Sequence, residues 1–125
     1  PLFPELHTEF DKLNNALQAY RMLQEVTANY FAQGKVALVA TYARRILTAT
    51  AQLLGSHALL EQATLAQQHL RDIDENHYDY YFYLGKVMSA RFFINQILPN
   101  VSNIASLVKE GDSTLIDCPE QIFAY

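Results

Sequence analysis

Between residues 80 and 108 the apolar side chains Tyr80, Tyr83, Val87, Ala90, Ile94, Ile97, Val101, Ile104 and Val108 follow one another in steps of three and four without a slip. Only a helical repeat brings residues so spaced onto one face, so the last third of the chain must be helical and must bury that face. The pattern keeps its phase through Pro99. Proline removes one backbone donor and crowds the carbonyl four residues back, which predicts a kink there rather than a break. A helix is therefore expected from residue 77 to residue 110, ended by Gly111.

The rest of the chain supplies partners for that helix. Leu6, Phe10, Leu13, Leu17, Tyr20, Leu23, Val26 and Tyr30 repeat in the same steps, and Gly34 is placed to end a first helix, because glycine adopts the left-handed conformation without steric cost. A second helical stretch is expected over residues 35–72, with apolar residues at Val36, Val39, Ala43, Ile46, Leu53, Leu54, Ala58, Leu65 and Leu70. Gly55 and Ser56 in its middle either divide it or mark a close-packing point. No proline or polar cluster surrounds Gly55, which favours one continuous helix. The polar run Arg71-Asp72-Ile73-Asp74-Glu75-Asn76 reads as the following turn. The expected fold is all-α: an up-down antiparallel bundle of three long helices, four if the second breaks at Gly55. Residues 1–111 would form that single domain, after an extended lead-in at Pro1 and Pro4. Residues 112–125 would form an extended tail anchored by Ile122, Phe123 and Tyr125.

Composition excludes several classes of function. A net charge of −4 argues against a partner held by phosphate neutralisation, so no nucleic acid is expected. Cys118 is the single cysteine, which excludes an internal disulfide and a thiolate cluster and fits a reducing, cytoplasmic setting. No run approaches the roughly 18 apolar residues of a membrane span, and no basic-then-apolar stretch opens the given residues, so neither a transmembrane nor a signal segment is expected within them. Gly34, Gly55, Gly85 and Gly111 lie too far apart to cradle a phosphate or a dinucleotide, so no cofactor-binding residue is assigned. No nucleophile motif is present, and no catalytic residue is assigned. His57 with Glu61, and Asp74-Glu75-Asn76-His77, come nearest to a metal-ligand set. The acids of the second group fall in the predicted turn, where they solvate a loop, and no metal ligand is assigned.

What remains are surfaces. Charged residues make up 18% of the chain, against about 25% in ordinary soluble domains. The shortfall is concentrated in residues 26–60, where no acid occurs and only Lys35, Arg44 and Arg45 carry charge. Such a stretch is either core or a face covered by another domain or subunit. Arg44 and Arg45 would then mark the rim of that interface. The run Tyr78-Asp79-Tyr80-Tyr81-Phe82-Tyr83 places five aromatics in six positions, more than one helix face can bury. Either half of them simply lie at the surface, or Tyr78, Tyr81 and Phe82 belong to a docking face. Lys86 and Arg91 read most simply as partners for acids on a neighbouring helix, and alternatively as contacts to another domain or to a phosphate. Gly85 is expected to permit close helix approach.

The order Phe82-Tyr83-Leu84-Gly85-Lys86-Val87-Met88-Ser89-Ala90-Arg91-Phe92-Phe93, then Leu98-Pro99 and Gly111, resembles the last helix of certain bacterial acyl-CoA dehydrogenases. These are the larger members, which carry a helical domain after the catalytic body. Pro119-Glu120 and Phe123 resemble their terminus, and Leu53-Leu54-Gly55 resembles an upstream element. Where that element often has a Tyr-Leu pair before the glycine and a tryptophan after it, this chain has Gln52-Leu53 and no tryptophan. The resemblance implies a parent flavoprotein that uses FAD to remove two hydrogens from an acyl-CoA, with its catalytic glutamate and flavin site outside this chain. It implies a C-terminal accessory domain, inert alone, packed against the catalytic domains of the same polypeptide or against a dimer mate in a homo-oligomer, with the acyl-CoA bound mainly elsewhere. A start at Pro1 rather than methionine fits a piece of such a protein. The alternatives are a self-contained helical interaction or signalling module and a small carboxylate-metal bundle enzyme.

Overall fold

The computed structural model describes residues 3–124. Helix α1 (His7–Ala32) runs up, α2 (Val36–Leu70) returns, and α3 (Tyr80–Gln96) continued by α4 (Pro99–Glu110) runs up again. No strand occurs among the described residues. The all-α, antiparallel bundle expected from periodicity is the fold observed. At 1.5 Å per residue the 35 residues of α2 span about 52 Å, which makes it the longest rod. Contacts between residues 9 and 91 and between residues 30 and 108 place α1 alongside the second half of α3 and all of α4. The first half of α3 lies beyond the start of α1, against the end of α2.

Helix ends follow local chemistry. Gly34 at φ 74° and Gly111 at φ 67° turn the chain out of α1 and α4 in the left-handed region. Tyr30 reaches across to the end of α4, where its hydroxyl donates to the Val108 carbonyl at 2.7 Å. That carbonyl belongs to the last turn, whose acceptors have no partner within the helix. Pro4 opens a 3-10 turn (Pro4–Leu6) that buries Leu6, and does not extend the chain as a lead-in. Pro1 and Tyr125 lie outside the described residues.

α2 is unbroken at Gly55, where a β-carbon would stand 3.4 Å from the Phe93 ring of α3. Gly55 is thus a mid-helix glycine approached by a neighbouring helix. Gly85, expected in that role, is exposed, and among the described residues no atom beyond its own helical turn comes within 4 Å of where its β-carbon would be.

The third rod differs from expectation at both ends of its middle. It starts at Tyr80, because Asp74 accepts the Asn76 amide at 2.9 Å and His77 Nδ1 accepts the Asp79 amide at 3.1 Å, holding residues 74–79 as turns. At Pro99 the helix divides. The Leu98 amide reaches five residues back to the Phe93 carbonyl (3.0 Å), and the Val101 amide only three back to Leu98 (3.0 Å). A wide turn followed by a tight one accommodates the missing donor. The seam survives with one substitution: Leu98 is buried where Ile97 was expected, between Ile94 and Val101.

The core of α2 is Leu38, Tyr42, Ala49, Leu53, Ser56, Leu60, Ala63 and Ala66. Val36, Ala43, Leu54, Ala58 and Leu65, from the apolar pattern in the sequence, are exposed. α1 shows a smaller rotation: Glu9 and Ala16 are buried, while Phe10 and Leu17 lie at the surface. The tail does not run extended. It coils into α5 (Thr114–Asp117), which packs on α2, and a 3-10 segment (Glu120–Ala124), with Ile122 and Phe123 exposed.

Candidate functional site

On a helix of 3.6 residues per turn, Leu47, Ala51, Leu54, Ala58 and Leu65 fall on one line, opposite the core line through Ala49, Leu53, Ser56, Leu60 and Ala63. All five are exposed, Leu47 to 70% and Leu54 to 64%. Val36, Ala40 and Ala43 prolong the line toward the start of α2, and they are exposed too. The helix is therefore apolar on two opposite faces, and the bundle covers only one. α3 repeats the arrangement: Tyr81, Gly85, Met88 and Phe92 lie opposite Val87, Ala90 and Ile94, and all four are exposed. A helix apolar all round is normally buried all round.

The residues singled out from sequence fall into separate places. Tyr78 sits in the turn before α3, 89% exposed, with its ring stacked on His77 at 4.6 Å. Tyr81 and Phe82 follow at the start of α3, both exposed, and Phe82 carries the Lys86 ammonium 5.4 Å from its ring centre. Tyr80 and Tyr83 are half-buried, Tyr83 stacking on His69 of α2 at 4.6 Å. The aromatic run therefore divides: two tyrosines turn toward the bundle, while Tyr78, Tyr81 and Phe82 turn out.

Arg91 is committed internally. Its Nε lies 3.2 Å from the buried Glu9 carboxylate, and its Nη2 donates to the Glu5 carbonyl at 2.8 Å. Glu5 also meets Arg71 at 3.4 Å, so this chain of charges fastens the start of α1 to α2 and α3. Arg44 and Arg45 lie far from the aromatics, facing α4 across a cleft of about 440 Å³. A larger cleft, about 680 Å³, opens between α1 and α2 over Phe3, Phe10, Leu13 and Leu60, with His7, Asp11, His57 and Glu61 at its rim. The His7–Asp11 pair spans 3.3 Å.

Among the described residues no group of three or more His, Cys, Asp or Glu side chains could hold a metal ion. Two of the four glycines end helices and two lie within them, so they form no glycine-rich loop. No helix of the described residues is long and apolar enough to cross a membrane. The second apolar face of α2 escaped the sequence reading as a distinct feature. Its signal was the charge-poor stretch of residues 26–60, which marks a helix apolar on both sides without saying which side is core.

A family model described as acetyl-CoA dehydrogenase C-terminal like matches residues 3–119. A butyryl-CoA dehydrogenase of Syntrophomonas wolfei subsp. wolfei (strain DSM 2245B / Goettingen) is 32% identical over 120 residues, which cover 96% of this chain and 20% of that protein. A second butyryl-CoA dehydrogenase of the same strain is 30% identical over 118 residues, covering 94% of this chain and 19% of the relative. The chain thus spans about a fifth of the length of these curated relatives.

Proposed function

The chain belongs to the acetyl-CoA dehydrogenase C-terminal-like family, as the C-terminal domain of an acyl-CoA dehydrogenase-like protein, and from that premise we propose that it is a non-catalytic accessory domain of an FAD-dependent oxidoreductase acting on an acyl-CoA. The flavin, the catalytic base and most of the acyl-CoA site belong to the remainder of that polypeptide, in a cytoplasmic homo-oligomer. On this reading residues 1–111 form the packing unit and residues 112–125 an appendage to it.

The observation that carries the reading is the outward face of α2. Leu47, Leu54 and Leu65 are set on it at helical spacing, and the bundle leaves them bare. Monomeric proteins seldom leave so long an apolar line uncovered, so the face packs against the catalytic domains of the same polypeptide or against a dimer mate. Met88 and Phe92 of α3 form a second exposed apolar line. On the same reading Tyr78, Tyr81 and Phe82 with Lys86 belong to a contact surface near the end of α2, and Arg44 and Arg45 to one near its start. Arg91 supports this arrangement from within, by fixing α1 to α3.

Gly85 agrees with this assignment. A glycine inside a helix costs roughly 0.5–1 kcal/mol relative to alanine, and nothing within the domain approaches it. Its use lies outside the domain, where a flat spot on α3 admits a neighbouring backbone.

The test is direct. The purified chain, supplied with FAD and butyryl-CoA, should retain no flavin through gel filtration and should transfer no electrons from butyryl-CoA to an artificial acceptor. Retained flavin with turnover would overturn the reading and make the chain an enzyme in its own right.

A further inference from the structure

We propose that the outward face of α2 packs against the same face of a second copy of this chain, the two helices antiparallel about a two-fold axis between Thr50 and Ala51. This rests on the reading of that face as an interface and names what covers it. Outward from the axis, one half of the face carries Leu47, Ala43, Ala40 and Val36, and the other carries Leu54, Ala58, Glu61 and Leu65. The steps between them are four, three and four residues in both directions. Every one of these side chains is exposed. A two-fold axis sets each member of one half level with its counterpart in the second copy. Leu47 then meets Leu54, Ala43 meets Ala58, and Val36 meets Leu65. Side chains of like size fall opposite one another, and the alanines allow the helices to approach to about 8–10 Å.

Charge selects the direction. From Lys35 to Thr50 the chain carries Arg44 and Arg45 and no acid, whereas from Ala51 to Leu70 it carries Glu61 and no lysine or arginine. Antiparallel pairing lays the basic half on the acidic half, with Glu61 level with Ala40 and one turn from Arg44 of the second copy. A parallel pair in register would set Arg44 beside Arg44 and Glu61 beside Glu61, a like-charge arrangement that disfavours it. The strip from Val36 to Leu65 is about 44 Å long and about 10–12 Å wide, so two copies bury on the order of 1,000 Å². That lies at the lower limit for a specific interface, which suits a reversible dimer rather than an obligate one. α5 packs on α2 and still leaves Val36 55% exposed. The separate line on α3 through Met88 and Phe92 takes no part in the pairing and stays free for other parts of the polypeptide.

Sedimentation equilibrium of the 125-residue chain between about 1 and about 500 μM covers the affinities expected of so small an interface. The mass should climb with concentration from 14.2 kDa toward twice that value. Leu47→Glu combined with Leu54→Glu, both at exposed positions and checked for an unaltered helical spectrum, should weaken association at least about tenfold. Phe92→Glu, on the exposed line of α3, should not. Disulfide trapping, with Cys118 replaced by serine, reads the register. Ala51→Cys lies beside the axis and should oxidise with itself. Two copies of Leu47→Cys lie about 10 Å apart along the helices, beyond disulfide reach, so they should link to Leu54→Cys in a mixture and not to each other. A chain monomeric at every concentration, a dimer indifferent to the paired glutamates, or self-linking of Leu47→Cys in preference to Ala51→Cys would each overturn the pairing. A monomer that retains no flavin leaves the accessory-domain reading standing and gives the face to the catalytic domains. Flavin retention with turnover overturns that reading without touching the pairing.

Discussion

Tyr30 shows how much one side chain can hold together here. Its hydroxyl closes the carbonyl end of α4, and burial, with a smaller contribution from Tyr42, pushes its ionisation above the ordinary tyrosine value. The folded state thus keeps a proton that the unfolded chain gives up more readily. The stabilisation is complete below the unfolded value, near 10, and falls as pH rises through that value toward the raised folded one. Urea midpoints measured across the alkaline range should therefore decline in the natural chain, and the decline should be shallower in Tyr30→Phe. The same hydroxyl fixes Gly111: a β-carbon there would stand 2.6 Å from Tyr30 Oη, on a backbone at φ 67°. Gly111→Ala should cost at least about 1–2 kcal/mol in chemical denaturation, the penalty of a left-handed L-residue before any clash is counted. Ser56 is the opposite case. It is fully buried, and its Oγ has no hydrogen-bond partner among the described residues, so α2 carries an unsatisfied hydroxyl in its core. Ser56→Ala should raise stability by about 1 kcal/mol, because an unpaired buried hydroxyl is worth less than none.

At the scale of elements, α2 and α3 share one property, apolar residues on both faces, and it governs what was legible in the sequence. The seam was readable residue by residue through α4, whose opposite face is polar, with Ser102, Asn103 and Lys109 exposed, and its phase carries back into α3. Periodicity there has one answer, and only the exchange of Ile97 for Leu98 at the proline turn departs from it. In α2 the line through Leu47 and Leu54 is as apolar as the line through Leu53 and Leu60. Spacing alone cannot choose between them; the decision belongs to tertiary packing. The division at Pro99 was legible as a disturbance, but its form depends on where the Leu98 and Val101 amides find carbonyls, which only the folded chain determines. The coiling of the tail was illegible because four residues of helix leave no period to detect. Of the candidate surface, the outward aromatics and the arginine pair could be named in advance, while the inward commitment of Arg91 depended on Glu5 and Glu9 arriving from the start of the chain. Gly85 gives a prediction at this scale. Gly85→Ala should stabilise the isolated domain by roughly 0.5–1 kcal/mol in thermal or urea unfolding, since helix propensity improves and no contact is crowded. An unchanged or lowered stability would mean that α3 needs that glycine for itself.

The whole molecule is a bundle with a sound core and too much uncovered apolar surface. Val87, Ala90, Ile94, Val101 and Val108 are almost completely buried, so the domain has its own reason to fold. Leu47, Leu54, Leu65, Met88 and Phe92 are left bare by that core, and on the proposed reading another surface lies against them. Relatives about five times as long, in which the matching segment is one part, suggest where such a covering comes from: the rest of a longer polypeptide. The most direct measurement is the size of the native polypeptide that carries the sequence, read by an antibody against the 14.2 kDa chain on a denaturing gel of the source cells. One band several times heavier than the chain is expected. A native polypeptide at the mass of the chain itself would contradict the accessory-domain assignment.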